Sequence, residues 1–189
     1  MINHGSEHGS CHAFQVHVGP MRSRSTGHVK AKSRDPEDHP IIDPNYLASE
    51  IDRQEFRDIV RLTRELFGTK ALSKFSKGEI QPGADIDTDA DIDAFVRRSA
   101  ETVYHCSCTC KMGSDSDPDA VVDSDCKVRG IDNLRVVDAS IMPSVVSGNL
   151  NGPVIMMAEK AADLILGKTP LPPASDVPVY KPSSIETQR

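Results

Sequence analysis

The pattern that most constrains this chain lies near its end. Ser147-Gly148-Asn149-Leu150-Asn151-Gly152-Pro153 leads into five consecutive apolar residues, Val154 to Ala158, and the run continues through Ala161, Ala162, Leu164 and Ile165 to Gly167. Pro153 suits the first turn of a helix, where an N–H would lack a partner anyway, and Gly167 suits the residue that stops one. A helix this apolar near its start cannot turn every side to water, so the sequence predicts that it is buried in something larger. Asn149 and Asn151 bracket its start, where free N–H groups and the positive end of the helix dipole favour an anionic or electron-rich ligand. Ordinary capping accounts for one Asn without any ligand, and both readings stay open.

The chain leading up to this helix reads as a mixed α/β arrangement. Phe14–Val18 and His28–Lys32 alternate apolar and polar residues, as two neighbouring strands joined by a basic, Ser-rich loop would. Residues 41–47 read as extended chain. Asp52 with Glu55 has the spacing of a capping box, and Phe56, Ile59, Val60, Leu66 and Phe67 then recur at helical spacing up to Gly68, the expected stop. Thr88 with Asp91 caps a second helix to about Ala100, with Ile92, Phe95 and Val96 inward. Leu134–Val137 reads as a short strand that ends in Asp138. From Lys168 onward, Pro170, Pro172, Pro173, Pro178 and Pro182 predict an extended tail without a core of its own.

A length of 189 residues allows a sizeable core. The net charge of −6 disfavours nucleic acid or an anionic membrane surface as main partner. No run reaches the ~18 apolar residues a spanning helix needs. The opening residues have neither an apolar signal core nor an Arg-rich amphipathic pattern, so no targeting segment is expected. Five cysteines is an odd count, and Cys106, Cys108 and Cys110 alternate in a spacing that suits neither a disulfide nor a zinc knuckle. A reduced intracellular or organellar setting follows, with no metal site expected.

Between these elements lie the residues that can carry chemistry. His105, after Tyr104 and before the thiol-rich run, can take a proton from an alcohol as a neutral imidazole, or serve only as a satisfied structural residue. Asp138 at a strand end suits hydrogen bonding to a sugar or phosphate-linked cofactor, or equally a turn cap.

The motifs carry a resemblance. Tyr104-His105 followed by Cys108-Thr109-Cys110-Lys111-Met112-Gly113 resembles the active-site histidine motif of the glucose–methanol–choline (GMC) oxidoreductases. Residues 134–143, Leu-Arg-Val-Val-Asp-Ala-Ser-Ile-Met-Pro, together with Ser147-Gly148-Asn149 and Asn151 to Pro153, resemble that family's C-terminal signature. Gln15–Arg22, Asp38-His39-Pro40, Pro44–Leu47 and Val179-Tyr180-Lys181-Pro182 look like its choline-oxidising branch. The resemblance implies an FAD-binding domain and a substrate domain meeting over the flavin. His105 matches the base that removes the alcohol proton while hydride passes to flavin N5, and Asn149 matches the second active-site position. Asp138, Ala139, Asn151, Gly152 and Pro153 match segments lying against FAD, and Tyr104 lies beside the substrate. The implied reaction is choline to betaine aldehyde, with electrons passing to a respiratory acceptor at the mitochondrial inner membrane.

Two departures qualify the match. Position 106 is Cys where the family has Pro, which removes a φ restraint just after the base. No Gly-x-Gly-x-x-Gly turn occurs in these residues, and the remainder of an aromatic cage for a trimethylammonium group is missing as well. The expected fold is therefore the C-terminal part of a two-domain FAD-linked oxidoreductase. Residues 1–113 would be part of a substrate domain ending in the His motif, 114–167 the last strand and helix of an FAD domain, and 168–189 the tail. The alternative is a non-catalytic fragment or isoform that binds no FAD alone and associates with a full-length chain.

Overall fold

A computed structural model describes residues 11–179. The polar start of the chain, Tyr180-Lys181-Pro182 and the end of the predicted tail lie outside the described residues. β1 (His28–Lys30) and β2 (Ile41–Asp43) form an antiparallel ribbon in which Val29 faces Ile42. Next come α1 (Glu50–Gly68), α2 (Lys70–Ser73), α3 (Asp89–Ser99), a 3₁₀ turn at Ala139–Ile141 and α4 (Asn151–Ile165). The ribbon differs from expectation: Phe14–Val18 forms no strand, and β1 pairs with the extended segment after it. Gly27 explains part of this, because a Cβ there would meet the Asp43 carbonyl oxygen at 1.9 Å, so only glycine lets the two chains approach so closely. Phe14 instead sends its ring to Phe67 of α1, 5.3 Å between centroids.

α1 and α3 bury Leu47, Val60, Ile92 and Val96 between them, with Phe56, Ile86, Phe95 and Ala100 packed around. The predicted inward stripe holds except at Leu66, which faces water. α1 begins two residues before Asp52, with Ser49 as its N-cap and no side-chain cap. Asp52 therefore does not cap. It is 1% exposed and accepts hydrogen bonds from Ser23 Oγ (2.6 Å), Arg24 N (2.7 Å), Ser25 N (2.7 Å) and Ser25 Oγ (2.5 Å). The Ser25 hydroxyl in turn accepts from Ser49 N at 3.0 Å, so the loop at 23–25 closes the helix start from outside. Burial alone would raise the Asp52 pKa, but the hydrogen bonds from Arg24, Ser23 and Ser25 outweigh it and hold the carboxyl below its usual range.

Gly68 does not stop α1 either. It stays inside the helix, and the Thr69 N–H and hydroxyl both satisfy the Leu66 carbonyl, so no left-handed glycine is needed. Arg57 of α1 pairs with Asp93 of α3, and Arg61 reaches Asp89 at 2.5 Å, tying the helices along their polar edge. Thr88 caps α3 as predicted, accepting from Asp91 N at 3.2 Å.

A second cluster buries Val122, Cys126, Ile141 and Ala161, with Met112, Val121, Val128, Val136, Val137 and Met157 around it. Apart from α4 and the 3₁₀ turn it is built from loops and single bridges: Met112 with Val122, Val122 with Val128, and Lys127 with Arg135. The strand expected at Leu134–Val137 is reduced to that last bridge, because only Lys127 offers it a ladder partner. α4 ends as predicted, with Gly167 left-handed at φ 64°. Its apolar sides are largely uncovered. Ala161 is its one buried residue, while Ile155, Met156 and Ile165 face outward. No helix among the described residues is long and apolar enough to cross a membrane.

Candidate active site

The His motif and the Asp138 turn, separate in sequence, dock on one another. The N–H groups of Cys108, Cys110 and Met112 donate to the carbonyls of Ala139 (3.3 Å), Ser140 (2.9 Å) and Ile141 (2.8 Å). Met112 then enters the second cluster beside Ile141. Gly113 closes the motif where a Cβ would strike Asp117 Oδ2 at 2.7 Å and Ala120 Cβ at 2.8 Å. Its carbonyl accepts from Arg129 at 2.8 Å, and its N–H donates to the Val122 carbonyl. Lys111 reaches Asp117 at 2.9 Å. That contact raises the Lys111 pKa and lowers that of Asp117.

Tyr104 and Cys108 both lie in the left-handed region, at φ 62° and 71°. Such a conformation costs roughly 1–2 kcal/mol for a non-glycine residue. His105 is thus held between two backbone reversals, half-buried, and among the described residues its ring has no hydrogen-bond partner. The left-handed residue at 108 and a turn at Thr109–Cys110 also break the expected alternation of the three thiols. All five cysteines are free, Cys106 is exposed, and no group of three metal-ligating side chains is assembled among the described residues.

Asp138 accepts from Ser140 N at 2.7 Å and caps the 3₁₀ turn, which is the capping alternative left open by the sequence. Asn149 and Asn151 are exposed and neither caps α4, whose N-cap is Leu150 without a side-chain bond. The N–H groups of Asn151 and Gly152, in the first turn, therefore have no acceptor within the helix, and the space around Gly152 and Gly148 is open. Tyr104 is 84% exposed, and no other ring meets it among the described residues. Hydrogen bonds thus join the Cys108–Met112 and Ala139–Ile141 segments, while none links His105 to Asn149.

These motifs also match known proteins. A GMC oxidoreductase family model covers residues 23–158. The chain belongs to the GMC oxidoreductases. Across all 189 residues it is 57% identical to a mitochondrial choline dehydrogenase of Mus musculus and 58% identical to that of Homo sapiens. It is 52% identical over 178 residues to an oxygen-dependent choline dehydrogenase of Photobacterium profundum. The chain spans about a third of these relatives, 32%, 32% and 31% of their lengths, and matches their C-terminal part. Among solved structures, pyridoxine 4-oxidase from Mesorbium loti superposes with a TM-score of 0.73 at 36% identity, over 79% of this chain and 29% of that one. A formate oxidase of Aspergillus oryzae, whose FAD modification has been studied, superposes at 0.70 with 29% identity over 75% and 25%. The fold is thus that of the C-terminal region of an FAD-linked GMC oxidoreductase, mixed in helix and sheet.

The free helix start bears on the cofactor. The first-turn N–H groups of Asn151 and Gly152, at the positive end of a 15-residue helix, suit an anionic or electron-rich group. Sequence reasoning missed the Ala139–Ile141 carbonyls that anchor the His motif. Main-chain acceptors leave no side-chain signature, and the two left-handed residues beside His105 are not ones that favour that region.

Proposed function

We propose that this chain carries the alcohol-handling side of an FAD-dependent choline oxidation, choline to betaine aldehyde. The observation that supports it most is the hydrogen-bonded docking of the His105 motif onto the Asp138–Ile141 turn, the two family segments that flank the flavin. Identity to choline dehydrogenases along the whole chain narrows the substrate class.

His105 takes the hydroxyl proton onto a ring nitrogen, which has no hydrogen-bond partner among the described residues. Asn149, exposed beside the α4 start, donates its amide to the alcohol oxygen as negative charge grows there. Asn151, Gly152 and Pro153 form the helix start against the cofactor, with Asp138 and Ala139 on the adjoining turn. Bound FAD would supply the acceptor for the hydride that leaves the carbinol carbon. Tyr104 offers one ring face to the trimethylammonium group. Electrons then pass to a respiratory acceptor, and the setting is the mitochondrial inner membrane. The division into a substrate unit through Gly113 and an FAD-domain unit at 114–167 belongs to this proposal, although Met112 already packs with the second apolar cluster.

A second reading concerns the 189 residues alone. On that reading they engage FAD only in association with a full-length chain, whose Gly-x-Gly-x-x-Gly turn would hold the pyrophosphate. Adding FAD to the purified chain, recording its visible spectrum and assaying choline with an artificial electron acceptor separates the two. Near-stoichiometric flavin with turnover sinks the second reading. A flavin-free, inactive chain that gains turnover with a full-length copy supports it. A flavin-loaded, choline-inert protein removes the choline assignment.

A further inference from the structure

We infer that Asp138 is a positioning residue for the His105-bearing segment, acting through the main-chain carbonyls of the turn it caps. This rests on the proposed role of His105 as base.

The anchors around His105 carry the inference. Its ring has no hydrogen-bond partner among the described residues, and the bond just before it, Tyr104 N to Thr102 Oγ1 at 2.9 Å, is local. The nearest long-range anchor is three residues on, where Cys108 N meets the Ala139 carbonyl, followed by Cys110 on Ser140 and Met112 on Ile141. All three acceptors belong to one 3₁₀ turn, so the direction of that turn's carbonyls sets where the histidine segment lies. Ile141 is buried in the second cluster, whereas Ala139 and Ser140 depend on hydrogen bonds. The turn's own bonds, Ile141 N to Asp138 O and Met142 N to Ala139 O, are both 3.2 Å, and the Ala139 carbonyl is shared with Cys108. The Asp138 side-chain bond to Ser140 N, at 2.7 Å, is the shortest. It fixes the two residues whose carbonyls receive Cys108 and Cys110.

Thiol protection reads this directly, without flavin or activity. Cys108 and Cys110 are half-buried on the ladder, Cys106 and Cys11 are exposed, and Cys126 is buried in the cluster behind it. Alkylation rates, resolved per cysteine by mass spectrometry, are measured in the wild type, Asp138→Ala and Asp138→Asn. In the Ala variant, rates at Cys108 and Cys110 should rise about fivefold to tenfold, the scale of a lost cap, with Cys126 unchanged. Asn keeps an acceptor oxygen without the charge, so Asp138→Asn should stay near wild type. A contact that needs the carboxylate charge, as on a cofactor, would not be rescued this way.

Unchanged rates at Cys108 and Cys110 in Asp138→Ala overturn the inference. So does an equal rise at Cys126 in both Asp138→Ala and the milder Asp138→Thr, since the residue would then hold the whole cluster. In flavin-loaded protein, Asp138→Ala should lower kcat with KM nearly constant, and Asn should restore it. Undiminished flavin reduction in His105→Ala removes the base reading and leaves the thiol result standing.

Discussion

Around Ile92, packing is the work of two helices whose apolar residues recur every three or four positions, so each helix brings its own stripe and its neighbour needs only to face it. Around Ile141, Met112, the Val122–Cys126 loop and Ala161 come from three separated stretches, and crossed main-chain bonds hold them in place. The first region is stabilised by local pattern and the second by non-local backbone pairing. The region with the two motifs of the proposed site is the second. A framework of backbone bonds can hold a histidine and a helix start at fixed positions while leaving their polar groups free for a ligand, which a packed side-chain core cannot do.

The widest separation between the two regions should appear in chemistry. In flavin-loaded protein, His105→Ala should slow flavin reduction by choline roughly 10²–10⁴-fold and leave the thermal midpoint in place, because the ring makes no hydrogen bond among the described residues. A midpoint that drops with the rate would make His105 structural and erase the distinction.

In stability the order reverses. Ile92 is fully buried between α1 and α3, and Ile92→Ala should destabilise that region by about 3 kcal/mol through lost contacts and a cavity. Urea unfolding followed by helical circular dichroism measures it. Cys126, whose thiol burial pushes up in pKa, should alkylate as slowly as in the wild type in the same variant below the transition. Acceleration at Cys126 in step with helix loss would mean that the two regions unfold as one.

The same contrast explains what could be read from sequence. Thr88 with Asp91, the stripe Ile92–Phe95–Val96 and the Gly167 stop were legible because each acts within a turn or two of itself. Asp52 was misread as a cap for the opposite reason: its partners lie 27 to 29 residues away at Ser23–Ser25. The strand at Leu134–Val137 was legible as a β-rich run, but pairing is a property of two segments, and its ladder shrank to Lys127. At the site, residue types pointed to His105, Asn149 and Asp138. The Ala139–Ile141 carbonyls that hold the motif have no residue type to betray them.

Asp52 offers an intermediate effect in the helical region. Asp52→Asn weakens four hydrogen bonds to a buried carboxylate and should cost about 2 kcal/mol. The sign of its pH dependence follows from the lowered pKa in the folded chain. The stabilisation is fully present above the unfolded carboxyl value of about 3.9 and is lost as pH falls through the lower folded value. Urea midpoints across that acid window should converge for wild type and Asn variant. A constant gap between them would show that the contribution is shape and not charge.

The smallest effect is the most informative about the contrast, because each region contains a side-chain oxygen that caps a helical start. Thr88 accepts from Asp91 N at the start of α3, and Asp138 accepts from Ser140 N at the start of the 3₁₀ turn. Thr88→Ala should cost about 1 kcal/mol, read as a small fall in the urea midpoint. The carbonyls of α3 are spent inside the helix, so nothing beyond it should respond, and Cys108 and Cys110 should alkylate at wild-type rates. The turn capped by Asp138 instead gives its carbonyls to another segment, so a loss of similar size there should register at those thiols. If Thr88→Ala also exposes Cys108 and Cys110, stability in this chain spreads through the whole fold, and the ladder is no special route from cap to histidine.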